Sequence, residues 1–229
     1  KTEAPIEGPE SLFAEGQAIF ALSMMEKLSA EGETAATWPA QSELHGAVER
    51  AMGHYAHGYW THPLAQFFWI EENWHCLAAV ASLDHHRHEG YERMCLDYNR
   101  YKLRLSLDAD SDVAPEFLGA YGFGNVIAPH NTATAGLGEG LAAGVELAVA
   151  RGEDSDGMRR ALRGVQGFLV AQQWLGDEGF GLKRKPSPRG GWSESMVSPT
   201  IRIDYVQHAM AALASGRKAL AKAENPGAL

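Results

Sequence analysis

The chain alternates between segments that are apolar on nearly every side and segments that carry a single apolar stripe. The first kind is rich in Ala, Gly and Ser and occupies residues 12–29, 67–83, 134–150 and 203–216. The second kind has apolar residues at steps of three and four, over residues 45–60, 91–105 and 155–175. Both patterns have the helical period, and a helix that is apolar all round is normally buried. The sequence therefore predicts an all-α fold in which buried helices alternate with surface helices.

The stripes also predict which residues of the surface helices face inward. One stripe consists of Met158, Leu162, Val165 and Leu169, and another of Tyr91, Met94, Cys95, Tyr98, Tyr101 and Leu105. Because apolar burial drives the layering, we expect 67–83, 134–150 and 203–216 to be more buried than the three striped segments.

A loose internal repeat supports a regular arrangement of these helices. The stretches EGQAIFAL, ENWHCLAA and YVQHAMAAL align so that Gln17, His75 and His208 share one position. EGLAAGVEL joins them when Glu139 is placed with Glu15. The copies are separated by about the length of two helices with their loops. Inner and outer helical hairpins of this size form an α/α barrel or toroid around a central cavity, and the alternative is an ordinary helical bundle packed through small residues.

These helix starts, together with the loop GGWSES at 190–195, resemble the six-hairpin glycosidase-like and terpenoid-cyclase-like toroids. The similarity covers most of the chain as a pattern, without a family's catalytic signature. It implies an open or partial α/α toroid, since the chain has fewer helical segments than a complete ring. It also implies a single domain over 1–229, alone or as part of a longer protein. Toroids of this kind include glycan-active hydrolases, lyases and sugar epimerases, and isoprenoid cyclases.

Composition narrows the classes of partner. The chain has 229 residues, a hydrophobic fraction of 45% and a net charge of −9. An acidic surplus argues against nucleic acid as a partner, because nucleic-acid binders display a basic face. Glu71, Glu72 and His75 interrupt the longest apolar run, so no membrane span is predicted. The chain begins at Lys1 without an initiator Met, which favours an exported location slightly over a cytoplasmic one.

Polar groups at the starts of the predicted inner helices are the candidates for chemistry. The predicted catalytic residues are Glu72, His75, Asp204 and His208. Burial raises the pKa of some carboxylates and nearby cations lower the pKa of others, so such a set can supply a general acid and a base. Asp204 lies four residues before His208 on one helical face, where its carboxylate could orient the imidazole.

Aromatic and polar residues near the same helix ends are predicted to bind the substrate. They are Gln17, Trp74, His130, Asn131, Arg189, Trp192, Arg202 and Tyr205. Several of them belong to the loop tracts 119–136 and 176–200, and long loops of this kind are often functional. The predicted function is a carbohydrate- or polar-polymer-active enzyme of the lyase, epimerase or hydrolase type. The alternative is a non-catalytic toroid that binds a small molecule, a glycan, or another domain or chain that completes the ring.

No cofactor is predicted. The stretch HHRHE at 85–89 has metal-binding residue types, but its position at a hairpin turn favours an exposed loop. A mononuclear metal held by His75, His208 and a carboxylate is the alternative.

The two cysteines test the hairpin arrangement. Cys76 and Cys95 lie at nearly equal distances on either side of a turn predicted at 85–88, so an antiparallel hairpin brings them level. They form either two buried thiols or, in an exported protein, a disulfide, and two reduced thiols are favoured.

Overall fold

Helices account for most of the residues that the structure describes, which confirms the all-α prediction. The computed structural model describes residues 14–33, 35–58, 73–122, 127–175 and 188–225. The helices in these ranges are α1 (Ala14–Ala30), α2 (Gln41–Gly58), α3 (Trp74–Ala81), α4 (Glu89–Lys102), α5 (Asn131–Arg151), α6 (Asp156–Ala171) and α7 (Ile203–Glu224). A short antiparallel hairpin, β1 (Ser193–Ser195) and β2 (Ser198–Ile201), precedes α7 and was not predicted from the sequence.

The helices form two layers. In the first layer α1 packs against α3, α3 against α5, and α5 against α7. The second layer consists of α2, α4 and α6, of which α2 packs on α1, α4 on α3 and α5, and α6 on α5 and α7. Alternate helices along the chain therefore belong to alternate layers.

Helix α5 lies at the centre of the fold, and its small residues allow close packing on two neighbours. Every residue from Asn131 to Ala148 is buried. A Cβ added at Gly138 would lie 2.8 Å from Val165 Cγ1 of α6 and 3.0 Å from Ala212 Cβ of α7. The helix ends at Gly152, whose φ of 66° is the left-handed conformation that favours glycine after a helix.

Helix α5 is more buried than α2, as predicted. Helix α4 is more buried than expected for a striped helix, and α7 is more exposed than expected for an apolar one. Helix α4 buries polar residues as well as its stripe, including Glu92, Asn99 and Lys102. Helix α7 lies at the edge of the first layer, so Ile203 is 89% exposed and Met210 is 59% exposed. Residues 67–72 of the first predicted segment lie outside the described residues. Burial alone therefore does not separate the two predicted sets.

The predicted stripe of α6 is confirmed, and the stripe of α4 is confirmed over most of its length. Met158, Leu162, Val165 and Leu169 are all buried, as are the four predicted residues of α4 up to Tyr98. Tyr101 is 42% exposed, which corrects the prediction for that position. Leu105, the last predicted stripe residue, lies beyond the end of α4 in a 3₁₀ turn and is partly buried.

The hairpin predicted for α3 and α4 is confirmed at the cysteines. Cys76 Sγ lies 3.9 Å from the backbone carbonyl oxygen of Cys95, so the two residues are level across the helix pair. Both cysteines are buried and neither is joined in a disulfide.

Candidate functional site

A polar cavity of about 630 Å³ lies where the starts of the first-layer helices meet. Each of the four helices contributes residues from its first turns or the residues just before them. The described lining residues are Gln17 of α1, Asn73 and Trp74 at α3, Thr132 and Gly136 of α5, and Arg202, Asp204, Gln207 and His208 at α7. The starts of α1, α3, α5 and α7 therefore meet at one cavity.

A buried carboxylate and an imidazole form a pair at the wall of this cavity. His208 Nδ1 lies 3.2 Å from both carboxylate oxygens of Glu139, and the side-chain amide of Asn73 also donates to Glu139. Glu139 is only 2% exposed, and burial raises its pKa although the hydrogen bonds to His208 and Asn73 oppose this effect. Three helices therefore fix the position of one imidazole beside the cavity.

The carboxylate that bonds His208 is not the one predicted from the sequence. Asp204 pairs with Arg202, whose Nε lies 3.0 Å from Oδ1 and whose Nη2 lies 2.9 Å from Oδ2. Arg202 in turn lies over the ring of Tyr205, with its guanidinium carbon 5.0 Å from the ring centroid. Arg202, two residues away, is therefore the partner of this carboxylate, through one hydrogen bond and a second close ion contact.

His75 faces a different region from His208. Its Nδ1 lies 2.5 Å from Tyr91 Oη, and its ring centroid lies 4.3 Å from that of Tyr55. Burial lowers the pKa of His75 to about 3, so the ring is neutral at ordinary pH. It is not among the described residues that line the cavity. The predicted sharing of one cavity therefore does not hold for His75, while Glu72 lies outside the described residues.

Three predicted substrate-binding residues line the cavity, and two lie beside it. Gln17, Trp74 and Arg202 are lining residues, and the Trp74 ring meets His208 edge-on with centroids 6.0 Å apart. His130 and Tyr205 form an edge-on pair with centroids 5.6 Å apart. The His130 side chain also caps α5 by accepting a hydrogen bond from the Thr132 amide.

The other three predicted substrate-binding residues lie outside the described lining of the cavity; they are Trp192, Asn131 and Arg189. Trp192 is 2% exposed, and its indole N–H donates to the Leu169 carbonyl at 2.7 Å, so it belongs to the core. Asn131 is buried and donates to the Ser193 carbonyl at 2.9 Å, which fastens the β-hairpin to α5. Arg189 lies in an exposed turn before the hairpin. None of the three is among the described residues that line the cavity.

The turn between α3 and α4 is also different from the exposed loop that HHRHE predicted. His86 is 6% exposed, with Nδ1 3.0 Å from the Glu26 carboxylate and Nε2 2.8 Å from Glu49 Oε2. His45 Nδ1 of α2 lies 2.7 Å from Glu26 Oε1. Burial alone would lower the pKa of His86, but hydrogen bonds to Glu26 and Glu49 outweigh it and raise the pKa. A group of metal-ligating types is thus assembled from distant parts of the chain.

Sequence reasoning missed several residues of the cavity. Thr132, Gly136 and Gln207 had no recognisable pattern, because their roles depend on which helix turns face the cavity. Asn73 did give a signal, as one of the polar residues that interrupt the apolar run 67–83. Glu139 did give a signal, since it is a lone carboxylate within a run of small residues, GLGEG, that packs as the central helix.

Comparisons with known proteins assign no family to this chain. No family model, no curated protein and no solved structure matches it. Within the described residues, no helix is long and apolar enough to cross a membrane. The function is therefore argued from the geometry of the cavity.

Proposed function

We propose that the protein is an enzyme that acts on a carbohydrate or a similar polar polymer by acid/base chemistry, with the cavity at the helix starts as its active site. The Glu139–His208 pair carries this proposal. A carboxylate that holds one ring nitrogen of a histidine fixes the tautomer and orientation of the ring and stabilises its protonated form. His208 is the proposed catalytic residue, and Glu139 and Asn73 are positioning residues.

The rest of the cavity suits a polar ligand with apolar faces. Trp74 offers an aromatic surface on which a sugar ring could pack, and Gln17 and Gln207 offer amide groups for hydrogen bonds to hydroxyls. Thr132 Oγ1 is buried and has no hydrogen-bond partner among the described residues, so a ligand hydroxyl could satisfy it. A cavity with few, convergent polar groups is typical of a small-molecule site.

The Glu139–His208 pair favours proton abstraction and return as the chemical step. Glycoside hydrolysis generally uses two carboxylates on opposite sides of the scissile bond. In the described part of this cavity Glu139 is bonded to His208 and Asp204 is paired with Arg202. An oriented imidazole is instead suited to abstracting and returning a proton, the step shared by lyases and epimerases. We therefore place lyase or epimerase chemistry ahead of hydrolysis.

The proposal extends to the open toroid. The first layer ends at α7, whose Ile203 and Met210 are exposed, so a further hairpin from another domain or chain could pack there and continue the ring. This extension rests on the alternation of layers and stays a prediction.

The test is turnover of a panel of defined oligosaccharides, including uronate-containing ones. Products with new double bonds indicate a lyase, changed stereochemistry without a change of mass indicates an epimerase, and new reducing ends indicate a hydrolase. His208→Gln should lower kcat by about 10²- to 10⁴-fold, the usual contribution of general acid/base catalysis. Binding of an active oligosaccharide should be retained by this variant.

Matched controls separate catalysis from folding. Glu139→Gln should lower kcat and displace the pH–rate profile, whereas Glu146→Gln, a buried glutamate two turns later on α5, should do neither. Binding without turnover in the wild type would favour the non-catalytic alternative. An active His208→Gln variant would overturn the assignment of the catalytic residue.

A further inference from the structure

A second group of polar residues lies away from the cavity, where α1, α2 and the α3–α4 turn meet. We call Glu26, His45 and His86 the Glu26 cluster; their ligand atoms all lie within 4.8 Å of one another. Glu26 is nine residues after Gln17 on α1, a separation of roughly 13 Å along the helix. The Glu26 cluster is therefore distinct from the proposed active site.

The carboxylate at its centre is surrounded by imidazole nitrogens. Glu26 is 2% exposed, with His45 Nδ1 2.7 Å and His86 Nδ1 3.0 Å from its oxygens. A third imidazole nitrogen, His85 Nε2, lies 3.7 Å from Glu26 Oε2. The rings of His45 and His86 are stacked with centroids 4.0 Å apart. Two imidazoles with one carboxylate are a donor set that zinc commonly uses.

The surroundings of His86 match those of a metal-bound histidine. Such a histidine usually donates its other ring N–H to a carboxylate, which fixes the tautomer and orients the ring. His86 has Nδ1 directed at Glu26, while Nε2 lies 2.8 Å from Glu49 Oε2. Glu49 is thus placed to orient the ring from outside the cluster.

His85 provides an independent indication of a ligand. Both of its ring nitrogens are buried and have no hydrogen-bond partner among the described residues. A buried polar group without a partner is costly, so native proteins rarely keep one. At 3.7 Å from Glu26 Oε2, His85 Nε2 is beyond hydrogen-bond distance but faces the same carboxylate as His45 and His86.

We propose that the Glu26 cluster binds a divalent transition-metal ion of the zinc class, with Glu26, His45 and His86 as ligands. Tetrahedral zinc at about 2.1 Å from each donor separates the donors by about 3.4 Å. The two Glu26–histidine distances, 2.7 Å and 3.0 Å, would therefore lengthen by about half an ångström. Calcium and magnesium are disfavoured because they prefer all-oxygen sites. The side chain of His45 is 56% exposed, so the ion would have one side towards solvent. The ion would fasten α1, α2 and the α3–α4 turn together.

Metal binding is measured directly on untagged protein after dialysis against a chelator. Zinc chloride should bind with one equivalent per chain in calorimetry and raise the melting temperature. Cobalt chloride should give the strong visible absorption of a tetrahedral Co²⁺ site, and zinc should displace it. Absence of both signals at micromolar metal would overturn the proposal.

Substitutions of exposed side chains locate the metal site while leaving the buried residues of the fold unchanged. His45→Gln changes an exposed side chain and should weaken zinc binding at least about tenfold while the protein stays folded. Glu49→Gln should weaken it by about 10- to 100-fold by releasing His86. His57→Gln, an exposed histidine on the same helix, is the control and should bind zinc like the wild type. Equal binding by His45→Gln and the wild type, or loss of binding in His57→Gln, would place the ion elsewhere.

Discussion

At the scale of single residues, His75 shows how burial fixes a protonation state. Its ring lies between Tyr55 and Tyr91, and burial lowers its pKa to about 3 from an ordinary value of 6.5. A folded-state pKa below the unfolded value means that the unfolded chain takes up the proton first as the pH falls. The stabilising contribution of the neutral ring is therefore complete above about pH 6.5 and is lost progressively towards pH 3.

We predict that His75 makes the protein sensitive to mild acid. Between pH 6.5 and 5, protonation of His75 in the unfolded chain should lower the free energy of unfolding by about 2 kcal/mol, at 1.36 kcal/mol per pH unit. Denaturant unfolding at a series of pH values measures this slope, and His75→Gln should remove that part of it. Tyr91→Phe, which keeps the buried ring but loses the hydroxyl, should retain the slope. A wild-type slope unchanged in His75→Gln would show that another group titrates.

The residue scale is also where sequence reasoning was least complete. The repeat gave Gln17, His75 and His208 one shared position, whereas Gln17 and His208 line the cavity and His75 does not. A degenerate repeat does not fix the rotation of a helix about its axis. Asp204 was predicted to orient His208 from four residues away, whereas the structure uses Glu139 from another helix. A local pattern carries no information about such a partner 69 residues away.

At the scale of secondary-structure elements, α5 depends on glycine at particular positions. A Cβ at Gly138 would lie 2.8 Å from Val165 and 3.0 Å from Ala212, closer than carbon atoms normally pack. At Gly136, two residues earlier, an added Cβ meets no atom of another described element within 4 Å, since this residue faces the cavity. The same substitution should therefore have opposite effects at the two positions.

We predict that Gly138→Ala destabilises the protein and that Gly136→Ala stabilises it. Overpacking costs about 1–3 kcal/mol, which exceeds or offsets the gain of up to about 1 kcal/mol from replacing glycine by alanine in a helix. At Gly136 only the gain remains. Thermal and denaturant unfolding of both variants measures the difference. Equal effects at the two positions would contradict the close approach of α5 to α6 and α7.

A second prediction at this scale concerns the junction of α4 and α5. Arg151, the last residue of α5, lies 3.1 Å from the buried carboxylate of Glu92 on α4 and 2.8 Å from Glu153. Arg151→Met should cost about 1.5–3 kcal/mol, because it removes hydrogen bonds to charged groups, one of them buried. With Glu92→Gln added, the loss should be smaller than the sum of the single losses by about 1 kcal/mol, measured by denaturant unfolding.

An exposed ion pair serves as the control for the Arg151 and Glu92 variants. Arg163 of α6 pairs with Glu224 of α7, and both side chains are about half exposed. Exposed pairs contribute at most about 1 kcal/mol, so Arg163→Met should have a small effect. A loss at Arg163 as large as that at Arg151 would show that burial does not determine the contribution.

At the scale of the whole molecule, the helical class and part of the packing follow from features that the sequence does show. Runs of small apolar residues predicted the central α5, and one-sided stripes predicted that α6 packs through a single face. The order of burial was wrong for α7, because a helix of that composition can also end a layer with one side exposed. Composition indicates what a helix can bury, whereas its position in the layer determines how much it does bury.

The cysteines give a prediction about the cooperativity of the whole fold. Cys76 and Cys95 are completely buried where α3 packs on α4, and α3 also packs on α1 and α5. A reagent should therefore reach these thiols only when the two layers separate, rather than through local fraying. In the denatured protein without reductant, both thiols should react at once. In the native protein, the free energy of opening from labelling rates should equal that from denaturant unfolding. A markedly smaller value would show that the α3–α4 hairpin opens while the rest of the molecule stays folded.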